Sequence, residues 1–271
     1  MNSIQELGTR SPSAGTSRVK TRGVIYVVTG GRSYLGELVS SVKSLRRHEP
    51  DIPVTVFSRY KLPSRYRLER REVDPDLNPH KLKVRCLRES PYDETLFLDT
   101  DTSIKGKVSP LFDELKQHDF CVAHSHVADY SRRPPLLLDL VKADGYNTGV
   151  LLFRKSDPTS LFLSKWEGAV MAHDPKEMWA GHYGDQYFFT ELVNGTGVAD
   201  SELKFGILDN VKWNCRGIAS EHVRKINRWS DVRIFHHRTS GMKIRKLIYS
   251  ITDFPTAKVI AGKGLRLMRL R

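Results

Sequence analysis

Leu96-Phe97-Leu98-Asp99-Thr100-Asp101 decides how this chain is read. Three large apolar residues run directly into two carboxylates one residue apart. With Thr95 before them and Pro91 upstream, Thr95 to Leu98 form a short apolar run that predicts a buried strand. In open α/β sheets, ligands gather beyond the carboxyl ends of the strands. Two carboxylates crowded at such an end repel each other unless a cation sits between them. Taken alone, the triplet Asp99-Thr100-Asp101 also describes a polar turn after a strand, so its surroundings decide.

Those surroundings alternate between strand and helix signals. Val24-Ile25-Tyr26-Val27-Val28 is a β-branched run ended by Thr29-Gly30-Gly31. Leu35, Leu38, Val39, Val42 and Leu45 then recur at helical spacing, and Val54-Thr55-Val56-Phe57 is a second strand. Strand, helix and strand with short links make a βαβ unit with a parallel pair. Downstream, helices are expected over 80–88, 110–117, 158–172 and 185–193. Strands are expected at Phe120–Ala123, Val150–Phe153, Lys204–Leu208 and Val232–Phe235. The expected fold class is therefore α/β: a mostly parallel sheet flanked by helices in a single domain over residues 23–240. In that setting the paired carboxylates suit a hard divalent cation, Mn2+ or Mg2+, with positions left open for phosphate oxygens. Such a site stabilises a departing diphosphate.

The net charge of +13 lies mostly outside this domain. Residues 241–271 hold eight Lys/Arg against one Asp, +7, and residues 1–22 hold four against one Glu, +3. The central domain keeps the remaining +3. Residues 1–22 are rich in Ser, Thr and Gly and read as a disordered tail. They lack the apolar core of a secretory signal, so none is expected. The basic segment 241–271 points to an anionic surface such as a membrane leaflet. No run approaches the roughly 18 apolar residues of a membrane span. Cys86, Cys121 and Cys215 are odd in number and form no CxxC pair, as expected of reduced thiols. The expected location is cytoplasmic, with peripheral membrane contact through the basic C-terminus.

Ser90 to Asp101 resembles the DxD region of the GT-A nucleotide-diphospho-sugar transferases, with glycosyltransferase family 8 and its small relatives nearest. Four further segments resemble that family in its order. They are Tyr146-Asn147-Thr148-Gly149-Val150, Gly184-Asp185-Gln186, Val211-Lys212-Trp213-Asn214 and Val232 to His236. The likeness spans roughly residues 23–240. It implies a GT-A, Rossmann-like fold and a metal-dependent glycosyltransferase. The donor would be a nucleotide-diphosphate sugar, with UDP favoured, and the acceptor a glycan, a glycolipid or other lipid-linked sugar, or a protein. Asp99 and Asp101 would hold the metal and, with Thr100, meet the nucleotide, while His236 would be the third ligand. His237 follows directly and stays the alternative. Val28, Thr29, Gly30 and Tyr34 would approach the base, and Lys83 and Lys243 the phosphates. Lys243 departs from the family spacing. Asn147 and Gly149 would meet the donor sugar, Asp185 its hydroxyls and Gln186 the reacting carbon. From the residues alone, Asn147 and Gly149 also fit turn chemistry, and Asp185 fits a helix N-cap. Asp185 is the strongest candidate for a base. The resemblance favours a retaining reaction, which needs no such base.

Other patterns carry less. Thr29 to Gly36 fails the GxGxxG spacing of a dinucleotide loop. His124-Ser125-His126 lacks the further ligands of a zinc site. Trp179 and His182 stand in a loop where an aromatic could stack on a sugar. Two rivals remain. A sugar-phosphate nucleotidyltransferase would show a Gly-rich basic loop after the first strand, and Gly30-Gly31-Arg32 is a poor version of one. A non-enzymatic binder of nucleic acid or acidic membrane would work through the tails alone. No nucleic-acid-binding motif appears, so no nucleic-acid partner is expected.

Overall fold

The computed structural model describes residues 21–28, 31–125, 145–174 and 184–237. β1 (Arg22–Val27) and β2 (Val54–Phe57) flank helix α1 (Ser33–His48) and pair in parallel, Val24 opposite Val54 and Val27 opposite Phe57. This is the βαβ unit that the spacing predicts. The five apolar residues of the helical pattern, Leu35, Leu38, Val39, Val42 and Leu45, are all buried. Each contributes roughly 1.5–3 kcal/mol relative to exposure.

The chain continues with β3 (Glu69–Arg71), α2 (Pro79–Arg88), β4 (Glu94–Leu98) and β5 (Thr102–Ile104). Then come β6 (Phe120–His124), β7 (Tyr146–Arg154), α3 (Asp157–Met171) and α4 (Asp185–Asn194). β8 (Phe205–Leu208), α5 (Asn210–Trp213), β9 (Cys215–Arg216), α6 (Ser220–Lys225) and β10 (Ile234–His236) complete the described elements. Two helix starts follow ordinary capping chemistry. The Asn78 side chain accepts from His80 N ahead of α2, with Pro79 following, and the Ser156 side chain accepts from Thr159 N ahead of α3.

Seven strands form one sheet in the order β3-β2-β1-β4-β7-β6-β8, and β5-β10-β9 form a second, small sheet. In the large sheet β7 alone is antiparallel to its neighbours; the rest run together. Alternate residues of β1 serve two cores. Val24 and Tyr26 pack with Leu38, Val42 and Leu45 of α1, whereas Ile25 and Val27 pack on the face that carries Leu82, Trp166 and Phe189 of α2, α3 and α4. Burial on both faces explains why the parallel strands read as continuous apolar runs. The mixed, mostly parallel sheet flanked by helices is the expected fold class.

The reversed strand places the site. β4 ends where β7 begins, with Leu98 opposite Val150 and Asp99 N donating to Gly149 O at 2.8 Å. β7 starts at Tyr146 rather than at Val150 as the apolar run suggests. Its register against β6 jumps: Val122 faces Leu151 but Ala123 faces Asn147. The bulge lies at Thr148 to Val150, and bulges of this kind re-aim side chains beside active sites. The segment predicted helical over 110–117 is instead a 3-10 helix, Ser109–Lys116. Strands β3, β5 and β9 were not expected. The three cysteines are buried and unpaired, and burial pushes their thiols up, to about 12 for Cys121 and about 11 for Cys215. No described helix is long and apolar enough to cross a membrane. The expectations for 1–20 and 241–271 lie outside the described residues, but the disordered tail expected over 1–22 ends too late: Thr21 bonds Asp93 and Arg22 opens β1, where it pairs with Glu94.

Candidate active site

The turn after β4 sorts its three residues. Thr102 Oγ1 and Thr102 N both donate to Asp99 O, at 2.9 and 3.3 Å, which closes the turn. Thr102 Oγ1 also meets Ser41 Oγ, which meets Tyr26 OH, in a buried hydroxyl chain tying the turn to α1 and β1. Thr100 Oγ1 donates to the buried Glu37 Oε2 at 2.9 Å, so its side chain is turned toward α1. Asp99 and Asp101 are turned toward β10. There His236 Nε2 lies 2.8 Å from Asp101 Oδ1 and 3.7 Å from Asp99 Oδ2. His236 is buried, while the two carboxylates keep side-chain exposures of 33% and 20%, enough for an ion to reach them.

The orientation of the His236 ring follows from a chain of amides. Gly149 N donates to Asn147 Oδ1, so that oxygen is an acceptor. Asn214 Nδ2 donates to the same oxygen at 2.8 Å, which leaves Asn214 Oδ1 free to accept from His236 Nδ1 at 3.1 Å. With its proton on Nδ1, the ring turns a lone pair on Nε2 toward two carboxylates. Three acceptors facing one another call for a positive charge between them, either a metal ion or a proton shared by Nε2 and Asp101. Burial works against the charge on Asp101, but the His236 imidazole and then the Arg216 guanidinium outweigh it and hold this carboxyl below the usual range. Asp99, Asp101 and His236 offer ligand atoms within 4.8 Å of one another, the one such group among the described residues. Two carboxylate oxygens and a neutral imidazole fit Mn2+ or Mg2+.

Gly149 is required by this packing. A β-carbon there would overlap the His236 ring and lie 2.8 Å from Asp99 Oδ2. The resemblance assigns this glycine to donor-sugar space; in the structure it makes room for His236. His237, the alternative ligand, instead meets Ser103 Oγ through Nε2 at 2.6 Å, and its backbone N donates to Asp101 O.

Beside this group lies a second charged cluster. Asp185 opens α4, but the N-cap is Gly184 and the Asp185 side chain makes no capping bond, so the simple N-cap reading does not hold. The carboxylate reaches across to α2. Oδ1 meets His80 Nδ1 at 2.6 Å, and Oδ2 meets Lys83 Nζ at 2.9 Å and accepts from Thr148 Oγ1 at 2.8 Å. Burial opposes its charge, but the Lys83 ammonium and His80 hold it far below the ordinary carboxylate value. Lys83 also lies 3.5 Å from Asp99 Oδ1 and so bridges the two clusters. Burial alone would lower the Lys83 value, but Asp185 and Asp99 raise it, so Lys83 stays charged. Burial likewise disfavours His80 as a cation, and the Asp185 hydrogen bond and charge reverse that and raise its value.

Gln186 Oε1 accepts from Asn147 Nδ2 at 3.1 Å, and Gln186 Nε2 donates to Ser125 Oγ. The expected residues Asp99, Asp101, Asn147, Gly149, Asp185, Gln186, Lys83 and His236 thus form one connected network. Thr100 faces away from it. Val28 is buried at the end of β1, and Tyr34 stands in the first turn of α1 against the core. Thr29, Gly30, Lys243, His126, Trp179 and His182 lie outside the described residues. His124 stacks on Tyr146 with ring centroids 4.9 Å apart. Sequence reasoning passed over His80, Thr148 and Arg216 and left Asn214 without a role. His80 carried one signal: it stands one helical turn before Lys83.

Comparison with known proteins bears on the fold and the family. The family model described as nucleotide-diphospho-sugar transferase matches residues 94–247. Among solved structures, the glycosyltransferase GlyE of Streptococcus pneumoniae TIGR4 superposes with a TM-score of 0.55 at 17% identity, over 92% of this chain and 64% of that one. A glycosyltransferase involved in glycosylation of the major capsid of PBCV-1 gives 0.53 at 13% identity, over 86% and 100%. Mouse xyloside xylosyltransferase 1 gives 0.50 at 15%, over 81% and 98%. At these identities the superpositions show the fold alone. No curated protein matches by sequence. The family match covers more than half of the chain and takes in β4, β7, α4 and β10, which carry the acidic pair, Asn147, Asp185 and His236, so this protein belongs to the nucleotide-diphospho-sugar transferase family and is a glycosyltransferase.

Proposed function

We propose that this enzyme moves a sugar from a UDP-sugar to a glycan, lipid-linked or protein acceptor, with retention of anomeric configuration and with dependence on a divalent metal. The convergence of Asp99, Asp101 and His236 within 4.8 Å at the carboxyl end of β4 carries the reading. These three residues would hold Mn2+ or Mg2+. A bound ion would supply positive charge to the diphosphate as it leaves.

The rest of the chemistry belongs to the chain. Lys83 stays charged between Asp99 and Asp185, within reach of the metal group, and would add a second positive charge toward the phosphates. Asp185 is a fixed anion. Both of its oxygens are engaged and its proton affinity is low, so it is a poor general base. The other two carboxylates of the network belong to the metal group. Without a carboxylate base, the acceptor proton passes to the departing diphosphate, which supports retention. Asp185 and Gln186 would position the donor sugar, Gln186 through an amide held by Asn147 and Ser125. Val28 at the end of β1 and Tyr34 in the first turn of α1, with Thr29 and Gly30, would receive the base, and Lys243 the pyrophosphate. The charge of +7 on residues 241–271 supports peripheral contact with an anionic cytoplasmic leaflet.

The test is a screen of UDP- and GDP-sugars with Mn2+ present, followed by NMR of the first-formed anomer. Retained configuration with a UDP-sugar is expected. An inverted product would refute the assignment of Asp185, and turnover of a nucleoside triphosphate with a sugar phosphate would replace it with nucleotidyl transfer.

A further inference from the structure

A cleft of about 370 Å³ runs between α1 and β5. That is within the range of small-ligand pockets, roughly 300–1,000 Å³. Its walls carry Lys43 and Arg47 from α1 and Lys105 from the end of β5, with Ser40 and Ser103 nearly buried at its sides. No carboxylate lines it.

Several other surface cations of the described chain are neutralised. Arg85 and Arg88 share Glu167, Arg228 holds Asp209 and Asp231, and Lys165 holds Asp200. Arg47 and Lys105 form no ion pair among the described residues, although they face one concavity. The end of a helix favours cations, which accounts for Arg47 and His48 in the last turn of α1. It does not account for Lys105, which a different element brings to the same place. The chain itself offers no obvious filler. The segment after β10 carries +7 over residues 241–271, the same sign as the cleft.

We propose that this cleft is an anion site for a phosphomonoester or diphosphate group, separate from the metal group. Converging cations suit tetrahedral phosphate oxygens, and charge-assisted hydrogen bonds are the strong ones. The carrier of the phosphate is either a soluble metabolite or a lipid headgroup. This inference stands apart from the transferase reading, since it involves none of the residues placed in that reaction.

The experiment uses the full chain with chelator present, so that the metal group is not loaded. Pyrophosphate and inorganic phosphate are titrated by calorimetry. In a parallel arm, sedimentation measures binding to phosphatidylcholine vesicles with and without phosphatidic acid. Three proteins are compared: wild type, Arg47→Glu/Lys105→Glu and Asp101→Ala. Wild type and Asp101→Ala are expected to bind pyrophosphate alike, and the charge-reversed protein roughly tenfold or more weakly. Added salt should erode the difference. A difference seen only with phosphatidic acid vesicles would keep the site and assign it to a headgroup. Equal binding by wild type and the charge-reversed protein in both arms would overturn the proposal. Arg47 and Lys105 are exposed, so the double variant should fold and keep its rate of nucleotide-sugar hydrolysis. If its melting profile were altered, Arg47→Gln/Lys105→Gln would serve in its place.

Discussion

Replacing Gly149 by alanine tests the site with a single methyl group. The added β-carbon would collide with the His236 ring at Cε1, stand 2.7 Å from its Nδ1 and 2.8 Å from Asp99 Oδ2. His236 has little freedom to retreat, because it is buried and held through Nδ1 by Asn214. Overpacking of this kind costs about 1–3 kcal/mol. For a chain of this size, that lowers the melting temperature by roughly 2–10 °C. The functional loss should be larger than the structural one. Relief of the clash requires the ring to move by about 1 Å, and a misplacement of that size costs on the order of 100-fold in rate. The assay pairs Mn2+ calorimetry with nucleotide-sugar hydrolysis at a temperature well below the melting transition. Mn2+ affinity and rate should both fall while the protein stays folded. A Gly149→Ala protein with wild-type Mn2+ affinity would refute the claim that this glycine exists to admit His236 to a metal site.

Further outcomes follow from the surrounding contacts. Asn214→Ala removes the acceptor for His236 Nδ1 and should weaken Mn2+ binding by about 10–100-fold, read by calorimetry. Asp185→Asn leaves Lys83 buried against one less carboxylate and should destabilise the fold by about 3–5 kcal/mol in urea titrations. The pH dependence of stability has two limbs. The Asp185 value is depressed in the fold, so its contribution is full above the unfolded carboxylate value of roughly 4 and is lost as pH falls from there. The His80 value is raised, so its contribution is full below the unfolded imidazole value of roughly 6.5 and is lost as pH rises through the folded value. Urea midpoints should therefore fall on the alkaline side in wild type, and His80→Gln should flatten that limb. An unchanged alkaline limb in His80→Gln would show that the His80–Asp185 pair does not cause it.

The elements with a clear period were legible from residues alone. Val24 to Val28 and the spacing from Leu35 to Leu45 declare a strand and an amphipathic helix, because burial on one or both faces imposes the pattern. The acidic pair was legible because it ends an apolar run. β3, β5 and β9 were not, since strands of three, three and two residues are too short to show a period. The apolar run alone starts β7 at Val150, and only the resemblance carries the strand back to Tyr146. Asn147 and Gly149 are poor strand formers, held there by the bulge and by the Asn147–Asn214 contact. Asp185 looked like an N-cap because capping is local, whereas its true partners His80 and Lys83 lie on α2, far away in sequence. Such pairings are created by the fold and leave no trace in local spacing.

Metal dependence is the property on which the roles of Asp99, Asp101 and His236 rest. Hydrolysis of a UDP-sugar should be measured for wild type and for Asp99→Asn/Asp101→Asn, with Mn2+ and then with excess chelator. Wild type should turn over, chelator should abolish that turnover and Mn2+ restore it, and the double variant should be inactive under both conditions yet still folded. Wild-type turnover that persists undiminished in chelator would contradict these roles.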